Sequence, residues 1–172
     1  HLGSAAVARA RAWTGSSDGT LRQLAAGVLS GSGEQEDSPY LLDLLTKAVD
    51  AEDWCAAETP ARGLGRLGTT EATDALVCAW ESTIHSYARK AILKGLRGCA
   101  PAATADGFTE EGLDDCEPGV QDAACRHAPD TPPARARLVV LSTDPLAGEL
   151  RESARRRLES CAAVGNTTGP CS

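Results

Sequence analysis

Three groups of residues in this chain have side chains able to do chemistry: its seven cysteines, its three histidines, and a series of arginines and lysines. A thiol close to an imidazole can act as nucleophile and base. Only in Cys125-Arg126-His127 do the two stand near each other in sequence. Two positions apart at a helix end, such side chains point in different directions, so no catalytic residue is assigned. No two cysteines are separated by two residues, and none has a histidine at ligand spacing. Zinc knuckles and redox CxxC pairs are thereby removed, and neither metal nor cofactor is expected.

The basic group lies in two similar stretches, ARGLGRLG ending at Gly68 and ARKAILKGLRG ending at Gly98. It comprises Arg62, Arg66, Arg89, Lys90, Lys94 and Arg97. Guanidinium groups grip carboxylates through paired N–H donors, so a face carrying these residues would take an acidic segment of another protein. Any exposed helix face also needs charges simply to be solvated.

These stretches are parts of a repeat. RQLAAGVLSG ends at Gly31, TPARGLGRLG at Gly68, RKAILKGLRG at Gly98, QDAACRHAPD at Asp130 and ESARRRLESC at Cys161. A period of roughly 30 residues is the signature of stacked helical units. Between them lie other helical segments, such as YLLDLLTKAVD with an apolar stripe at helical spacing after Ser38-Pro39. The chain therefore reads as alternating first and second helices. First helices are expected near 4–13, 38–49, 70–82, 101–114 and 132–142, and second helices near 19–30, 53–67, 85–97, 118–128 and 147–160. Pro60 falls inside one second helix, where a kink is expected in preference to a late start. Gly68 is expected as a left-handed stop, with Gly63 and Gly65 allowing close packing.

Composition agrees with helices. The chain has Trp 3, Tyr 2 and Phe 1, so its core must be built from Ala, Leu and Val, whereas strands favour β-branched and aromatic residues. A net charge of -7 argues against nucleic acid as the main partner. No apolar run is long enough for a transmembrane helix. With no Met in the chain, residues 1–4 read as a cloning remnant, residues 5–161 as a single repeat domain and residues 162–172 as a C-terminal tail.

The repeat resembles the HEAT-like repeats, in the short form first associated with phycobilisome lyases. Asp53-Trp54, Ala57, Ala61, Leu64 and Leu67-Gly68 carry the best match, and Tyr87-Ala88-Arg89, Ala91 and Leu96 the next. The fourth unit departs with His127-Ala128-Pro129, and the fifth closes on Cys161 where a glycine would stand. The resemblance implies an all-α, right-handed α-solenoid of about five antiparallel helix pairs. It implies second helices lining a concave face, here basic, and first helices forming a convex face, here acidic. Family members that hold two irons use His-Glu dipeptides, and this chain has none. A basic, aromatic-lined channel of the DNA-glycosylase kind does not fit this acidic chain. The expected function is a non-catalytic scaffold or adaptor that binds another protein through the concave face. A lyase- or chaperone-type protein handling a cofactor or modifying a partner is the alternative.

Repeat geometry also suggests disulfides between Cys99 and Cys125 and between Cys55 and Cys78. Cys161 and Cys171, bracketing a polar loop, form the easiest closure, which leaves Cys116 over. So many cysteines point to an extracytoplasmic location, whether periplasmic, secreted or lipid-anchored, with a cytoplasmic chain of buried thiols as the alternative. Abundant Ala, Arg and Gly with a single Asn suggest a bacterial source with a GC-rich genome.

Overall fold

The computed structural model describes residues 2–83 and 86–166. Among these residues there are ten α-helices and no strand. They are α1 (Leu2–Trp13), α2 (Gly19–Ser32), α3 (Ser38–Asp50), α4 (Trp54–Leu67), α5 (Thr73–Ser82), α6 (Ser86–Cys99), α7 (Ala102–Gly112), α8 (Pro118–His127), α9 (Pro132–Thr143) and α10 (Glu149–Asn166). Single 3-10 turns, Gln35–Asp37 and Thr70–Ala72, lead into α3 and α5.

Local chemistry explains the boundaries. The side chains of Asp18, Asp53 and Thr131 accept hydrogen bonds from Thr20, Ala56 and Ala134 N–H at 2.8, 3.1 and 3.3 Å, satisfying donors that a first turn leaves unpaired. Pro39, Pro118 and Pro132 stand at first-turn positions, where their missing N–H costs nothing. Gly68 ends α4 with φ 69° and donates to Leu64 O, a left-handed stop that glycine adopts without strain. Helix α4 runs unbroken through Pro60, so the late start is excluded.

At two places the helices exceed expectation. α1 begins at Leu2, so three residues read as a remnant form its first turn. α10 continues to Asn166, because Ala162 and Ala163, good helix formers, carry the helix into the stretch expected as a loop. Residues 167–172 lie outside the described residues.

The chain divides into two compact units, His1–Ala102 and Ala103–Ser172. In the first, α1 packs on α2, α3 on α4 and α5 on α6, while α4 also lies against both α2 and α6. Leu29, Leu41, Leu45, Leu64, Leu76, Trp80, Ile92, Leu93 and Leu96 are buried there, together with Ala25, Ala57, Ala61 and Ala88. In the second unit α10 packs on both α8 and α9 over a core of Leu113, Val120, Ala124, Cys125, Leu138 and Ala154.

The α4–α6 contact is made backbone to backbone. A Cβ on Gly65 would lie 2.7 Å from Gly95 Cα, and one on Gly98 would lie 2.0 Å from Gly65 O. α4 meets α2 in the same way, since a Cβ on Gly63 would lie 2.8 Å from Ser30 Cα. Real side-chain carbons do not approach so closely, so these glycines set the spacing of the three second helices.

Candidate functional site

All six basic residues singled out from the sequence belong to α4 and α6 of the first unit. Packing against α2 and α6 uses the glycine edges of α4 and leaves Arg62 exposed, where it faces Glu58 at 3.6 Å one turn back. On α6, Lys94 is exposed, whereas Lys90 and Arg97 are half-buried. Neighbouring second helices thus share a surface that carries cations from both.

Two of the six have a structural task. Arg66 reaches back to the end of α2, where it donates from Nε to Ser30 O at 2.8 Å and from one Nη to Gly33 O at 2.6 Å and Leu29 O at 3.2 Å. Ser30 O is among the carbonyls that a helix end leaves unpaired and Gly33 O lies just past it, while Leu29 O also accepts the Gly33 N–H at 2.8 Å. Arg89 stacks on the Trp80 ring, with its guanidinium carbon 3.8 Å from the centroid, and donates to Trp80 O and Thr83 O, both at 3.2 Å. It closes the end of α5 while contributing a cation–π contact. Both guanidinium groups are therefore held by the fold.

The second unit repeats the device. Arg157 of α10 donates from Nε to Ala128 O, just past α8, at 2.7 Å. A different arginine clamp holds α1. Arg11 donates from Nε and one Nη to the two carboxylate oxygens of Asp37 at 2.8 and 2.9 Å, and Glu34 and Glu36 flank it. Asp37 is only 5% exposed, and the Arg11 bond holds its carboxyl below the ordinary carboxylate range. No sequence signal marked either clamp, because both join residues distant along the chain.

The cysteines differ from expectation. Cys55, Cys78, Cys99, Cys116, Cys125 and Cys161 are all free thiols, so neither Cys55–Cys78 nor Cys99–Cys125 is joined. Cys99 and Cys125 are buried instead as small apolar side chains of their own units' cores. Burial pushes their thiols up to about 11 and about 12. Cys161 is buried, while Cys55, Cys78 and Cys116 are exposed. The Cys161–Cys171 closure involves a residue outside the described ones. His127 is exposed at the end of α8, whereas the Cys125 thiol is buried and held protonated, so the two supply no thiolate nucleophile.

Two concavities are also present, the second of them lined in part by Arg157. In the first unit, a cleft of about 430 Å³ is lined by Arg22, Gln23, Leu44, Asp53, Cys55 and Thr59, among others. In the second, a pocket of about 240 Å³ lies between α8 and α10 and is lined by Arg126, Ser153, Arg156, Arg157 and Ser160. Among the described residues no group of three or more His, Cys, Asp or Glu is placed to hold a metal ion. Nor is any helix among them long and apolar enough to cross a membrane.

Comparison with known proteins finds no matching family model, no matching curated protein and no matching solved structure. The HEAT-like resemblance therefore rests on the repeat itself.

Proposed function

We propose that the chain is a non-catalytic scaffold that binds an acidic segment of another protein across the second helices of its first unit. In this reading the helix pairs are HEAT-like repeats wound as a right-handed solenoid, and the second helices line its inner face. One observation carries the proposal: α2, α4 and α6 lie side by side at glycine-set spacing, with Arg62 and Lys94 exposed on adjacent helices. Lys90 and Arg97 extend that surface, whereas Arg66 and Arg89 support the helix ends beneath it. A carboxylate-rich segment laid along this surface would meet cations in succession, with bonds strengthened by charge.

The test measures a fluorescent polyglutamate peptide by anisotropy. Binding is expected to weaken between about 50 and 200 mM salt, as screening shortens the reach of exposed charges. The variant Arg62→Ala/Lys90→Ala/Lys94→Ala should lose most of the affinity while keeping its helical circular dichroism. Arg66→Ala should instead lower thermal stability. Equal binding by the triple variant and the wild type would overturn the proposal.

A further inference from the structure

The pocket between α8 and α10 has a composition that solvation alone does not require. Three arginines from two helices converge on about 240 Å³ together with two serine hydroxyls. Two of the arginines are paired with carboxylates. Arg126 meets Asp122 at 2.9 Å, and Arg156 donates from Nε to Glu152 at 2.8 Å, each pair one turn apart. Arg157 is fixed by its bond to Ala128 O, and Ser153 donates to Asp122 at 2.7 Å. The Arg157 and Ser153 bonds are part-buried and fix those two side chains, whereas the Arg126 and Arg156 pairs are solvent-exposed and leave both side chains able to turn toward a ligand.

Charge balance indicates what it would hold. Asp122 and Glu152 offset two of the three guanidinium charges, and Asp130, which also acts on Arg157, is itself paired with Arg135, leaving the pocket cationic. Each guanidinium has five N–H donors. The contacts described use Nε and one Nη of Arg126, and Nε alone of Arg156 and of Arg157. What remains is a set of N–H donors contributed by two helices to the lining of one small space. A planar carboxylate offers two oxygens and engages one guanidinium fork well. A phosphate monoester carries nearly two charges at neutral pH and presents three acceptor oxygens, one for each arginine. The volume suits a phosphate group with a short stem and lies below the usual size of sites for drug-sized ligands.

We propose that the α8–α10 pocket is a phosphate-monoester site, with Arg126, Arg156 and Arg157 as its anion ligands and Ser160 at its edge. It is independent of the surface proposed for the first unit and uses none of its residues. The ligand is either a small phosphorylated metabolite or a phosphorylated side chain of a partner. Titration calorimetry of the full chain with O-phosphoserine, and with a phosphoserine peptide, distinguishes these sources, because only the second predicts tighter binding of the peptide. Dimethyl phosphate, a singly charged diester, is the control and should bind at least tenfold more weakly. Arg126→Ala and Arg156→Ala remove exposed side chains, and each should weaken phosphoserine binding about tenfold or more. Ser160→Asp should do so by repulsion, without removing a cation. Lys47→Ala, on α3 of the first unit, should leave binding unchanged. No binding of phosphoserine or peptide at millimolar concentration would overturn the proposal. So would binding that the Arg126, Arg156 and Ser160 variants leave intact, or equal affinity for dimethyl phosphate.

Discussion

At Cys125 and His127, two groups capable of nucleophilic chemistry stand two residues apart, and burial separates their fates. The thiol lies in the core of its unit and the imidazole lies outside. That they would not cooperate was legible from helix geometry. That the cysteines would stay free was not, because pairing depends on which side chains the fold turns inward. A soluble maleimide is expected to label Cys55, Cys78 and Cys116 promptly in the folded protein. Cys99, Cys125 and Cys161 should react only after denaturation, and peptide mass mapping reads both sets. Rapid native labelling of Cys125 would contradict its burial. Asp37 shows a second effect that the sequence conceals. Its carboxyl is depressed, first by the Arg11 hydrogen bonds and against the desolvation that opposes them. The stabilisation is therefore complete above the unfolded carboxylate value of about 3.9 and is lost as pH falls through the lower folded value. Asp37→Asn should lower the thermal midpoint at pH 7, and the difference from wild type should shrink below about pH 4. A constant difference would mean that the Arg11 ion pair is not its source.

Among helices, the clearest expectations concern glycines, since some that look alike in sequence have opposite roles. Gly65 and Gly98 bring α4 and α6 into backbone contact, so Gly65→Ala and Gly98→Ala must push the helices apart. Each should cost about 1–3 kcal/mol, in the manner of an overpacked core, measured by urea denaturation. Gly27 sits on the exposed side of α2, and a methyl group added there would meet nothing within 4 Å. Gly27→Ala should therefore stabilise by about 0.5–1 kcal/mol through helix propensity and lost unfolded-state freedom. If both kinds of substitution act in the same direction, the close approach is not what constrains Gly65 and Gly98. The helices themselves were legible because caps, first-turn prolines and apolar stripes are local signals. Gly68 fell where a left-handed stop was expected, and Pro60 did not interrupt α4. The work of Arg66 and Arg89 was not legible. An exposed partner-binding arginine and one closing a neighbouring helix look the same in a 3.6-residue pattern, and only the tertiary contact separates them.

For the molecule as a whole, the two buried thiols couple stability to alkaline pH in both units. Cys99 and Cys125 are pushed up to about 11 and about 12 when folded, against about 8.5 in an unfolded chain. As pH rises past that lower value the unfolded chain releases these protons first. Stability is thus complete below about pH 8.5 and falls above it, by up to about 1.4 kcal/mol per pH unit for each thiol. Urea midpoints at pH 8 and pH 10 measure the fall, and a Cys99→Ala/Cys125→Ala variant should show a shallower one. An equal slope in the variant would place the alkaline sensitivity elsewhere. The period of the repeat made the alternation of helices readable along the chain. It could not show which arginines would form a pocket in the second unit, since Arg126 and Arg156 belong to different helices and meet only when α8 and α10 pack together.

The arginine closures also bear on the order in which the chain is made. Ser30 waits 36 residues for Arg66, and Ala128 waits 29 for Arg157. At a synthesis rate of about 5–20 residues per second, the end of α2 emerges roughly two to seven seconds before the donor that completes it. Each of these helices is thus finished by a part of the chain not yet translated. During that interval its open end is a place where a nascent chain can fray or be held by a chaperone, and the arrival of the next second helix closes it.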